Sequence, residues 1–523
     1  MGTDNLSSKS PISKISNATL REIFLHCLPQ YPLENSKEQQ PKTTIAPLLL
    51  CRICSSWRKV ALASTALWSH FSCALTVYED RDGEEFVLVK KEVEFVRWWR
   101  KNQGTTPPLL RLRIKATKTQ PKSLQRAGAD DDDEDDDAKD EEDEDDDAAF
   151  LVEYIASAQY LDLDAFYWKR VEEAIEEGNE IAFPNMRTLV KNGYDYELDN
   201  APFYGEFIAS SPSMLQRISA HRDCLTLEDT EIPTNWSALT HMSIRDSAFS
   251  LDFWFALIRA VPNLQWGYFD IRDLEGFEEL ASSEPDECTL PHLSTLCVAF
   301  RDKDEIAEML DFSTFFKGLH LPAVRTLSLS WFIAGPCFDR DIIGDLYKVL
   351  KCTPAVTTLA LAECSFDIDD PVAGSASPDG AKKDRKGLEA VWRVVPDLVD
   401  LQFVMPQEGT RERTREDVEE QVDGFMNEIL FTGGTWLDLR NHACPIRNVT
   451  IMDSWPVRYY GSGSESEPED GLDSEVADGD SIGDFAMSCI KKHDGELPNI
   501  VFELSSNSVA RIAADAWKEW GSI

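Results

Sequence analysis

One recurring phrase constrains this 523-residue chain more than any other feature. From Phe183 onward the pattern Pro-x-(Leu/Val/Met)-x-x-Leu-x-(Leu/Val/Phe) returns again and again. The clearest copies are Pro322-Ala323-Val324-Arg325-Thr326-Leu327-Ser328-Leu329 and Pro354-Ala355-Val356-Thr357-Thr358-Leu359-Ala360-Leu361. Others begin at Pro184, Pro291 and Pro396, and weaker copies at Pro212, Ser237, Pro262, Pro445 and Pro498. Proline cannot continue a helix, and the alternating apolar residues behind it read as a short strand. Helical patterns fill the gaps at Leu251–Val261, Glu305–Phe316, Asp341–Leu350 and Lys386–Val395. The early copies lie about 24 to 32 residues apart, and the spacing stretches after Pro354.

The Leu-x-x-Leu-x-Leu core resembles the strand of a leucine-rich repeat, in which each strand is buried by its neighbours. That resemblance implies an irregular α/β solenoid over residues 149–523, although an unrelated α/β domain fits the same pattern. Helix Val509–Trp520, with Ile512, Ala513, Ala516, Trp517 and Trp520 on one face, could cap the last repeat. The insertions at 367–386 and 461–480 are rich in Asp, Gly, Ser and Pro and read as disordered loops. Ser464 and Ser466 in the second precede acids and suit acid-directed phosphorylation.

Residues 15–71 carry a different signal. Apolar residues at 20, 23, 24, 27 and 28 form one helical stripe, and those at 49, 50, 53, 54, 57, 60 and 61 a second. Pro29 stops the first helix and Pro47 suits the first turn of the next. So short a segment cannot bury all of this apolar surface within itself. The same stripes also suit a helical hairpin packed into a larger core.

At Leu20, Glu22-Ile23-Phe24, Leu28-Pro29, Cys51-Arg52-Ile53-Cys54-Ser55-Ser56-Trp57-Arg58 and Leu67-Trp68 the chain resembles an F-box, most closely the fungal, mushroom-type branch. The family usually opens Leu-Pro-x-Glu, where this chain has Ile15-Ser16-Asn17-Ala18, and residues Gln30–Thr44 lengthen the first inter-helix link. The resemblance implies a substrate receptor that docks on the adaptor subunit of an SCF-type cullin–RING ubiquitin ligase. The adaptor-facing and supporting set is then Ile15, Leu20, Ile23, Phe24, Leu28, Leu50, Ile53, Cys54 and Trp57. The fold expected overall is a small all-α F-box module followed by an α/β leucine-rich-repeat-like solenoid. Its parts are a disordered N-terminus (1–13), the F-box-like domain (14–72) and a linker with a first repeat-like strand and helix (73–128). An acidic disordered loop (129–148) and the repeat-like domain (149–523) follow.

Charge narrows the partners. Net charge is −42, and residues 130–147 hold sixteen acids and one lysine. An acidic surface repels phosphates, so nucleic acid is not an expected partner. A run of like charges cannot pack, so this block is read as a binding tail for basic partners or as a solvated insert. No stretch of eighteen apolar residues appears, no membrane partner is expected, and the polar start is not a signal peptide. The twelve cysteines are scattered except Cys51-x-x-Cys54, which no second pair completes into a metal site. Reduced thiols fit an intracellular protein of cytoplasm or nucleus.

No phosphate-binding glycine loop, nucleophile elbow or zinc-protease helix occurs, and the eight histidines are dispersed. A non-catalytic receptor without cofactor is therefore expected, with an unknown protein substrate on the repeat region. A ligase-independent acidic scaffold is the competing reading.

Overall fold

The computed structural model describes residues 15–28, 46–79, 86–88, 90–117, 150–164, 183–192, 215–221, 234–275, 287–302, 312–333, 342–362, 394–404, 446–454 and 499–505. The expected N-terminal tail, the acidic loop, both insertions with Ser464 and Ser466, and the closing helix Val509–Trp520 lie outside these residues. Two compact units are present, one within residues 1–220 and one within 221–516.

In the first unit Ser16 starts helix α1 (Asn17–His26), its Oγ accepting the Thr19 amide at 3.1 Å. Helices α2 (Leu48–Ile53) and α3 (Ser55–Leu62) and a 3-10 turn, Thr65–Trp68, follow. The chain then enters strand β1 (His70–Glu79), which pairs antiparallel with β2 (Phe86–Leu88) and parallel with β3 (Leu109–Thr117). Between them runs α4 (Lys90–Gln103). Strands β4 (Tyr160–Asp164), β5 (Thr188–Asn192) and β6 (Arg217–His221) add on in parallel, with α5 (residues 150–156) before β4. One inward row, Phe71, Leu110, Leu161, Leu189 and Ile218, is in register across all five parallel strands and fully buried.

Two indoles join the helices to this sheet. Trp68 donates from Nε1 to the Ala61 carbonyl at 3.0 Å, tying the turn to α3. Trp99 of α4 donates to the Trp68 carbonyl at 2.7 Å, and its ring lies 4.9 Å from Trp68 and 4.8 Å from Phe71. Beneath them Tyr154 of α5 donates to the buried Gln103 amide oxygen at 2.8 Å, which keeps that polar group satisfied.

In the second unit the strands are β7 (His241–Ser250), β8 (Trp266–Glu275), β10 (Thr295–Asp302), β12 (Thr326–Ile333), β13 (Thr358–Ala362), β14 (Asp400–Val404), β15 (Asn448–Ser454) and β16 (Asn499–Ser505). They pair in parallel in that order. The short strands β9 (Cys288–Thr289) and β11 (Leu319–His320) form a separate pair. Helices α6 (Leu251–Ala260) and α7 (Ile342–Cys352) occupy two of the crossovers. The expected helix Glu305–Phe316 appears in the described residues as a 3-10 turn, Phe312–Phe316.

The proline phrase has a local mechanism. The amides of Leu264, Val324, Val356 and Leu398 donate to the carbonyls of Val261, Leu321, Thr353 and Val395, at 3.0 to 3.3 Å. Each phrase proline is therefore the second residue of a four-residue turn, where its fixed φ is already correct. The residues on both sides of the turn are buried, and so is the row Met242, Leu296, Leu327, Leu359, Leu401 and Val449. Gly267 takes the row's place in β8. A Cβ there would stand 2.7 Å from the Phe269 ring, which fills the volume a leucine would have used.

The expected fold class is corrected by this architecture. Strand β1 begins at His70, inside the span assigned to an all-α module, and helices and parallel strands are mixed from there on, so the fold is α/β rather than a small all-α F-box module followed by a leucine-rich-repeat-like solenoid. The apolar surface that the helices could not bury within themselves is covered in part through Trp68 and Trp99, which tie the helices to the sheet. The strand starts are unevenly spaced, from 24 residues between β6 and β7 to 51 between β15 and β16.

Candidate docking surface

The helices of residues 15–62 divide the nine sequence-selected residues into two groups. Leu20, Phe24 and Leu50 are buried, with Phe24 at 0% exposure. Trp57 is half-buried, its ring 4.8 Å from Phe24, so these two close α1 against α3. Ile15 and Leu28 are half-buried at the two ends of α1. Ile23, Ile53 and Cys54 point to solvent, Ile53 at 52% and Ile23 at 40%. The expected apolar stripe of α1 is thus narrower than its sequence suggests. Leu20 and Phe24, four residues apart, face inward, while Ile23 and Cys27, also four apart, face out.

Leu49, read in sequence as part of the second stripe but left out of the adaptor-facing set, belongs with the exposed group. It is 41% exposed and lies four residues before Ile53 on α2, so the two share a face. The available signal was the run Leu48-Leu49-Leu50 on a six-residue helix. Three consecutive residues span more than half a turn, so they cannot all face inward.

Local hydrogen bonds fix the pedestal under this face. Arg58 donates from Nε to the Cys51 carbonyl at 2.7 Å, holding α3 to α2. The Cys54 thiol accepts the Trp57 amide at 3.5 Å and caps α3. Around the apolar groups, Arg21, Arg52, Arg58 and Lys59 are exposed, and among the described residues of α1 to α3 Glu22 is the one carboxylate, in a chain that is otherwise strongly acidic.

Burial raises the Cys51 thiol, with Arg58 opposing it, and pushes Cys73 up to about 12, so both stay protonated near neutral pH. Among the described residues no group of three or more His, Cys, Asp or Glu side chains is placed to hold a metal ion. None of the described helices is long and apolar enough to cross a membrane. The arrangement suits apolar docking by area, directed by a cationic rim. No protein-family model matches the chain, and no curated protein matches it.

Proposed function

We propose that the chain is the substrate-recognition subunit of an SCF-type cullin–RING ubiquitin ligase. Residues 15–71 dock on the adaptor in the manner of an F-box, and the parallel-sheet units hold a protein substrate. The observation that carries this reading is the exposure of Ile23, Leu49 and Ile53 on a pedestal whose inward residues are already buried. Fully burying a side chain of this kind is worth roughly 1.5–3 kcal/mol, so covering three half-exposed ones is a substantial docking energy. Ubiquitin transfer belongs to the partner subunits. The receptor contributes proximity, which turns an encounter between substrate lysine and charged carrier into an effectively intramolecular one. The free thiols of Cys27, Cys51, Cys54, Cys73, Cys288, Cys297 and Cys352 favour a reducing intracellular compartment for this work.

A second reading, an acidic scaffold that works without a ligase, is favoured by the net charge of −42. Coexpression of the full chain with the adaptor, followed by size-exclusion chromatography, separates the two. The receptor reading predicts a stable one-to-one complex. Separate elution at micromolar concentration would favour the scaffold.

A further inference from the structure

Helix α4 presents a second, chemically different surface. Its buried side is Val93, Val96, Trp99 and Gln103, and its solvent side is Lys91, Glu94, Arg97, Trp98 and Lys101. Trp98 is 40% exposed, held edge-on to Trp68 at 5.1 Å and stacked with Phe95 at 5.8 Å. An exposed indole on a helix side that carries three cations and one carboxylate, Glu94, is an unusual surface in so acidic a chain. The charge is regional: residues 90–126 contain eleven lysines and arginines against two glutamates.

Immediately after this basic stretch comes the acidic block 130–147, which lies outside the described residues. Its exit is fixed by geometry. Phe150 begins α5, and the Arg97 guanidinium lies over the Phe150 ring at 4.6 Å from the centroid. One helical turn further on, Arg100 lies 5.5 Å from the Tyr154 ring. Asp147 is only three residues before Phe150, and three residues of chain reach at most about 11 Å. The last acid of the block is therefore tethered within about 11 Å of Phe150, the residue whose ring Arg97 covers.

We propose that the solvent face of α4, formed by Lys91, Arg97, Trp98 and Lys101, is the docking surface of the chain's own acidic block 130–147. The occupant follows from charge complementarity and from the tether. A short link gives an effective concentration in the millimolar range, above that of any free acidic peptide at micromolar level. The basic face is thereby withheld from outside polyanions, and the block from outside polycations.

The test uses a fluorescently labelled peptide of residues 130–147, titrated by anisotropy against two proteins. One is the full chain. In the other, residues 130–147 are replaced by a Gly/Ser segment of equal length. The replaced protein should bind the peptide, weakening steeply as salt rises, and the full chain should bind at least about tenfold more weakly because its site is filled. Adding Lys91→Glu, Arg97→Glu and Lys101→Glu to the replaced protein should abolish binding. Should that variant lose its far-UV dichroism, Lys91→Gln with Lys101→Gln, which leaves Arg97 on Phe150, should still weaken binding severalfold. Three results would overturn the proposal: no binding by the replaced protein at low salt, equal binding by the full chain, or binding indifferent to the α4 substitutions.

Discussion

The strand rows of the second unit and the helices of residues 15–62 spend their apolar residues differently. Along β7, β10, β12, β13, β14 and β15 the aligned row Met242, Leu296, Leu327, Leu359, Leu401 and Val449 is covered, down to 0–1% exposure. Along α1 and α2 three large aliphatic side chains remain 40–52% exposed, although the helices below them are well packed. That inward row is spent on core packing, so any partner of these strands must meet their other residues. A helix face left open on a packed pedestal is not spent in this way, and the proposed docking role would use that face.

The largest effects should fall on residues buried in either region. Phe269→Ala in the strand row and Phe24→Ala in α1 should each cost about 3–5 kcal/mol in urea unfolding, since both rings are wholly covered. Equal, small losses for both would mean that neither region has the packed core described. Gly267→Ala probes the strand row from the opposite direction. The added methyl meets the Phe269 ring, so destabilisation by about 1–3 kcal/mol is expected, and a gain in stability would show that the ring can move aside.

A smaller, pH-dependent effect sits where helices become sheet. His70 opens β1, and burial holds its imidazole below the usual value of 6.5. The unfolded chain then binds this proton more readily than the folded one. The stability it contributes is complete above pH 6.5 and is lost as pH falls through the folded value. Unfolding curves should weaken on acidification from about pH 7.5 to about pH 5, and His70→Gln should flatten part of that slope. An unchanged slope in the variant would remove His70 as the cause.

Much of the strand array was legible because the proline phrase has a mechanism. Proline preorganises the turn and the following Leu-x-x-Leu fixes which residues point inward, so Leu327, Leu359 and Leu401 fall in register as written. The spacing of the phrase is not constant. Ile218, Val449 and Ile500 hold the same register position, yet their prolines, Pro212, Pro445 and Pro498, stand six, four and two residues before them instead of five. Fold class was misread because local periodicity cannot report Trp68 and Trp99, which connect the helices to the sheet from outside the periodic stripes. The docking face was half legible for a related reason. On a short helix an apolar residue that meets the core and one that awaits a partner have the same sequence signature, so Leu20 and Phe24 were grouped with Ile23, and Leu49 was passed over.

The most direct measurement is calorimetric titration of the adaptor into the full chain and into Ile23→Asp/Ile53→Asp. Both positions are exposed, so the variant's unfolding free energy should stay within about 1 kcal/mol of the parent. Its affinity for the adaptor should fall by about 2 kcal/mol or more, roughly thirtyfold. Adaptor binding that survives both aspartates unchanged would contradict the assignment of this face, and with it the division of labour between the two regions.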